Sequence, residues 1–141
     1  MEPFHVSGRL MARAGLPCVF GDREAHRSLV GRVGPLHPDG WPGDEIGWTL
    51  AREAWGKGYA TEAATAAIDW TFANLGWVRI IHCIAPANTA SQAVAKRLGS
   101  ILQGPGHMPA PRDQDPIEIW GQTRKQWFLR HAARTASMPS Q

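Results

Sequence analysis

Between residues 55 and 61 the chain reads Trp55-Gly56-Lys57-Gly58-Tyr59-Ala60-Thr61, a glycine turn set between an apolar strand pattern and a helical one. Glycines let the backbone turn sharply and present successive N–H groups. The free N–H groups and positive dipole end of a following helix add to the attraction for an anion. A pyrophosphate is the natural guest, although two glycines alone also suit an ordinary strand-to-helix turn. Two nucleotide fingerprints fail here. A dinucleotide-binding motif wants a third glycine and an acidic residue roughly 20 positions later. Thr61 stands where that glycine belongs, and Glu62 and Asp69 come too early. A Walker loop wants Ser or Thr after its lysine, whereas Lys57 is followed by Gly58.

The elements that must hold this turn are readable on either side. Leu29–Val33 reads as a strand, with Gly31 marking a bulge or a close backbone approach. Pro35, Pro38, Asp39, Gly40, Pro42 and Gly43 make a loop by composition. Glu45–Leu50 follows as a second strand with Ile46, Trp48 and Leu50 on one face, paired antiparallel to the first. After the turn, Ala64, Ala67, Ile68, Phe72 and Leu75 recur at three- and four-residue steps, which predicts a helix over 61–75 ended by Gly76. Val78–Ala85 is apolar enough for a strand buried on both faces. Thr89 to Gln92 fits a capping box opening a helix that turns Val94 and Leu98 inward and ends at Gly99. A strand at Ile117–Trp120 and a short helix at Arg124–Arg134 complete a mixed α/β domain around one sheet. Before residue 28 only Leu16–Phe20 suggests a strand, and the final Ser/Pro/Gln residues are expected to fray.

Taken together, these residues resemble the GNAT acetyltransferases, most of all the branch that acetylates ribosomal-protein N-termini. The resemblance rests on Trp55–Ala63, on Glu45-Ile46-Gly47-Trp48 upstream, and on Asn88-Thr89-Ala90-Ser91 with Leu98-Gly99 downstream, in matching order. It covers about residues 28–123 of a single domain spanning 1–141, with 1–27 atypical. It implies a GNAT-like α/β fold whose central mixed sheet splays between two parallel strands, Ile46–Leu50 and Val78–Ala85, with flanking helices. It implies acetyl-CoA as co-substrate, an amine as acceptor, direct attack on the thioester and no metal. The pantetheine arm would lie in the splay against Trp48, Thr49 and Leu50, and one backbone N–H from that stretch would support the developing oxyanion. The diphosphate would lie on the N–H groups of Gly56 to Thr61, and Asn88 would bond the pantetheine amide.

The same resemblance orders the candidates for chemistry. An ammonium acceptor must shed a proton, and Glu45, opening its strand near the acceptor side, is the first candidate base; a solvated carboxylate is the plainer alternative. His82 ranks second, because a histidine in an apolar strand is more often a packed core residue. Many relatives protonate the departing thiolate with a tyrosine, but that position is Ala95 here, and the single tyrosine of the chain is Tyr59. Ser91 could donate instead, or could simply serve the helix start. Trp41, Trp48 and Trp55 read first as packing residues, with Trp41 and Trp48 also able to wall the acceptor pocket. Glu53 stands where the motif usually has Gln or Arg. Relatives place a strand and two helices before the equivalent of Val30, so this N-terminal part reads as incomplete. A homodimer that completes that side is one expectation, and a CoA-binding module without turnover is the alternative function.

Composition fits this frame. The 141 residues are 43% hydrophobic and 19% charged, one globular domain's worth. A net charge of +3 without a dense basic patch argues against nucleic acid. No apolar run reaches the ~20 residues of a membrane span, and no secretory leader is evident, so a cytoplasmic location is expected. Cys18 and Cys83 are too few for a disulfide scaffold and read as two buried thiols.

Overall fold

Seven strands among the described residues form one sheet. A computed structural model describes residues 10–13, 16–22 and 29–137. In chain order the strands are β1 (Leu10–Arg13), β2 (Leu16–Asp22), β3 (Leu29–Leu36), β4 (Glu45–Leu50), β5 (Arg79–Ile84), β6 (Ile101–Gly106) and β7 (Ile117–Thr123). The helices are α1 (Tyr59–Asn74), α2 (Thr89–Arg97) and α3 (Arg124–Ser137), with a short 3₁₀ turn at Arg52–Ala54. Across the sheet the order is β1-β2-β3-β4-β5-β7-β6. Every neighbouring pair is antiparallel except β4 and β5.

The β3–β4 hairpin runs in unbroken register from Gly31 opposite Leu50 to Leu36 opposite Glu45. Gly31 is a close approach: a Cβ there would stand 2.2 Å from the Thr49 carbonyl oxygen. Val33, Ile46 and Ile80 share one core with Ala63, Ala64, Ala67 and Ile68 of α1, Val94 of α2 and Trp127 of α3. All three helices therefore lie on one face of the sheet. The alanines of α1 let it sit close to the strands, and Trp127 fixes α3 to it by donating to Asp69 at 2.8 Å. Strand alternation turns Glu45, Gly47, Thr49 and Cys83 to the opposite face. That face is covered locally by the loops 37–44 and 107–116, where Met108 is buried.

Several sequence expectations change in detail. The helix after the glycine turn begins at Tyr59, two residues earlier than its apolar stripe suggested. The cap of α2 is Asn88, whose Oδ1 accepts the Ser91 N–H at 3.1 Å. Thr89 is already helical, and Gln92 reaches instead to the Pro86 carbonyl at 2.8 Å. β6 went unread because Gly104, Pro105 and Gly106 break its pattern. Proline is tolerated there because β6 is an edge strand with one neighbour. The expected fraying at 135–141 falls partly on residues 138–141, outside the described residues.

Candidate functional site

The single parallel junction in the sheet is also its weakest. β4 and β5 pair at one position, Glu45 opposite Ile81, with the Ile81 N–H donating to the Asp44 carbonyl at 2.9 Å. Beyond it the strands part and leave a cleft of about 770 Å³ that opens between them. Its walls come from both faces of the sheet: Trp48 and His82 from the helix side, Glu45 and Cys83 from the other.

Backbone groups alternate along a strand, so those of Ile46 and Trp48 both point across the gap toward β5. The Ile46 carbonyl finds a partner there, His82 Nδ1 at 2.8 Å. The Leu50 carbonyl is met by the Trp55 indole N–H at 3.2 Å. Trp48 lies in the mouth of the cleft, its ring 4.8 Å from the His82 imidazole, and its indole N–H donates to Ser91 Oγ at 3.2 Å. Ser91 thus keeps its own O–H free to donate. Asn88 spends its carbonyl oxygen on the α2 cap and keeps its amide N–H groups.

Glu45 is 7% exposed. One carboxylate oxygen accepts from the Trp41 indole at 3.0 Å and the other from the Cys83 backbone N–H at 2.5 Å. Burial pushes its pKa above the ordinary carboxylate value, against the pull of those hydrogen bonds and of the Arg112 guanidinium. Trp41 thereby joins the site through loop 37–44, and Arg112, which sequence reasoning missed, joins through loop 107–116. No motif marks Arg112; only the meeting of the two loops, near Gly40 and Pro109, brings it in. Cys83 is half-buried rather than buried, and its thiol is pushed up to about 12 by burial and by the Glu45 charge. Cys18 lies on β2, and its expected burial falls outside the described side chains.

His82, the second candidate base, lies in the core with both ring nitrogens occupied. It is 1% exposed, Nδ1 faces the Ile46 carbonyl, and Nε2 lies 2.8 Å from Ser100 Oγ. Ser100 and the Leu98 carbonyl in turn receive the Gln122 amide, at 3.0 and 2.9 Å. Since the carbonyl can only accept, Nδ1 carries the proton and Nε2 accepts from Ser100. Burial lowers the His82 pKa from 6.5 to about 4. An unfolded chain takes this proton near pH 6.5 and the folded one near 4, so His82's contribution is complete above 6.5 and is lost as pH falls toward 4. The loss amounts to about 3 kcal/mol at the acid end. Glu45, shifted upward, acts in the opposite sense over the acid range. Urea titrations between pH 7 and 4 should therefore show a shallower acid slope for His82→Gln than for wild type. Equal slopes would remove His82 as the cause.

The glycine turn sits apart from the cleft, at the far end of β4. Gly56 and Gly58 adopt φ of 76° and 79°, the left-handed region that glycine tolerates best. Gly58 is the N-cap of α1 and supplies no side-chain partner for the first-turn N–H groups. Gly56 has open space where a Cβ would stand, and Trp55 and Lys57 are exposed. Tyr59 and Ala60 turn their side chains into the core, so only their backbone can face a ligand. Thr61 Oγ1 is out of solvent and has no hydrogen-bond partner. An unsatisfied hydroxyl beside uncapped N–H groups fits an anion with several oxygens. Of the residues singled out from sequence, the cleft gathers Glu45, Trp48, Thr49, Asn88 and Ser91. Leu50 closes the end of β4 between the cleft and the turn at 55–61.

Residues 7–101 match the family model of the acetyltransferase (GNAT) domain. An uncharacterized N-acetyltransferase, p20 of Bacillus licheniformis, is 47% identical over 60 residues, 43% of this chain and 34% of that protein. The chain spans about a third of the length of the curated relatives it matches. Among solved structures, an acetyltransferase from Agrobacterium tumefaciens str. C58 superposes with a TM-score of 0.63 at 32% identity, covering 74% of this chain and 58% of that one. A spermidine N-acetyltransferase from Vibrio cholerae, solved with CoA and spermine, gives 0.62 over 78% and 66%; at 19% identity this shows a shared fold. Among the described residues no helix is long and apolar enough to cross a membrane.

Proposed function

Because the chain belongs to the acetyltransferases of the GNAT superfamily, we propose that it moves an acetyl group from acetyl-CoA to a primary amine. The observation that carries this reading is the cleft between β4 and β5, open at one paired residue and flanked by an uncapped helix start. The residues fit the group: N–H donors of Gly56 to Thr61 and the Thr61 hydroxyl for the diphosphate, the freed edge of β4 for the pantetheine. The thioester supplies an activated acyl carbon at the splay.

Each residue then has a task. The Trp48 N–H points into the gap and supports negative charge on the acyl oxygen, a donor of the kind typically worth ~10²–10³ in rate. Glu45, on the face away from the helices, takes the proton that the acceptor's ammonium must shed. Its burial suits it, because a base with a raised pKa accepts a proton more readily near neutrality. The new N–C bond forms as the C–S bond breaks, and the Ser91 hydroxyl, which lines the cleft, donates a proton to the departing sulfur. Cofactor and acceptor approach from opposite faces of the sheet, so neither blocks the other.

In this reading the acceptor is a primary amine, either a protein N-terminus or a small molecule. Titration calorimetry of wild type with acetyl-CoA is expected to give micromolar binding, and a panel of such amines to release free thiol. Binding without turnover on any amine would turn the reading toward a CoA-binding module. No binding by folded protein would sink both.

A further inference from the structure

Where β4 and β5 part, the backbone groups on their facing edges lose the partners that a parallel ladder would supply. A ligand bound in the cleft can meet those near the mouth. The Ile46 carbonyl lies deeper, next to the last paired residue, and leaving it buried and unpaired would destabilise the fold. The chain meets it with a side chain instead. His82 reaches from β5 across the gap to Ile46 at 2.8 Å, while its other nitrogen is held by Ser100 at 2.8 Å. Donation runs one way from Gln122 to Ser100, from Ser100 to His82, and from His82 to Ile46. Gln122 is anchored on β7 and also ties down the Leu98 carbonyl at the end of α2. The imidazole is flat and rigid, so this relay sets a distance as well as satisfying a carbonyl. Trp48, two residues along β4, rests on the same ring at 4.8 Å.

We propose that His82 is a positioning residue, a strut that fixes the width of the splay and so aims the Trp48 N–H at the acyl oxygen. The proposal rests on the acetyl-transfer reading above and adds a role that no motif in the sequence carries. His82 lies in the cleft wall at 1% exposure and acts through the Ile46–Trp48 segment. A leucine there would fill the volume without bonding Ile46, letting β4 close toward β5 or drift from it. A glutamine can donate to Ile46 through its amide N–H and accept from Ser100 through its oxygen.

The test combines kinetics with a spectroscopic reading of the ring. His82→Leu is expected to lower kcat roughly 10²-fold, the cost of about an ångström of misplacement, with acetyl-CoA affinity within about threefold because the 55–61 turn is untouched. His82→Gln is expected to recover most of kcat. Nitrogen-15 histidine spectra of wild type should show Nδ1 protonated and Nε2 bare at neutral pH. Unchanged kcat per folded molecule in His82→Leu, or an Nε2-protonated ring, overturns the strut. If His82→Leu fails to fold, His82→Gln decides: kcat as low as an inactive control, in a folded variant that keeps the Ile46 bond, also overturns it. Wild type that binds no acetyl-CoA defeats the functional reading instead, and the ring spectrum then judges the strut alone.

Discussion

Gly58→Trp is expected to abolish measurable acetyl-CoA binding while leaving the fold intact. Gly58 is the N-cap of α1 at φ 79°, and an L residue held there carries about 1–2 kcal/mol of strain. The larger effect is steric. An indole at this position covers the N–H groups of Tyr59, Ala60 and Thr61, which have no side-chain cap of their own. Charge-assisted bonds of this kind are worth about 1.5–3 kcal/mol each, so losing two lowers affinity by roughly 10²- to 10⁴-fold. The rest of α1 is held by Ala63, Ala64, Ala67 and Ile68, all facing the sheet, so circular dichroism should be unchanged. Calorimetry that finds affinity within about threefold of wild type would move the diphosphate away from this turn.

Glu45→Gln should lower kcat/KM by about 10²- to 10⁴-fold, with acetyl-CoA affinity little changed. The amide keeps the shape of the carboxylate and removes its capacity to take a proton. It also turns one N–H group against either the Trp41 indole or the Cys83 N–H, both of which donate to Glu45. Some stability is lost as a result, and activity must be read per folded molecule. The pH profile separates the two effects. Burial raises the Glu45 pKa, so wild-type kcat/KM should fall on acidification through a value above the ordinary 4.5. In Glu45→Gln that acid limb should vanish. A residual limb of the same midpoint in the variant would assign the base to another group.

Much of the frame was legible before any coordinates. Gly31, Gly58 and Gly76 sit where backbone geometry needs them, and such punctuation acts locally, within a few residues. The alternation of Ile46, Trp48 and Leu50 and the helical stripe of Ala64, Ala67 and Ile68 are likewise short-range signals. β6 was missed because its edge position, which lets it carry Pro105 among glycines, is a property of the finished sheet. The α2 cap was misplaced by one residue because Asn88 and Thr89 are both good caps, and the turn at Ala85–Asn88 decided between them.

By itself the sequence determined the mixed α/β class and the glycine turn at 55–61, because these are written in adjacent or periodic residues, while the grouping of Glu45, Trp48, Asn88 and Ser91 came from the resemblance to the GNAT family. Tertiary structure alone decided what those residues can do. Glu45 has a raised pKa because two loops and a strand close over it and strip its carboxylate of water, which outweighs the lowering pull of Cys83, Trp41 and Arg112. His82 has both ring nitrogens occupied because Ile46 and Ser100 meet them from positions 36 residues before it and 18 after. Protonation state and hydrogen-bond role depend on burial and on partners distant along the chain, and those distances close only when the sheet forms.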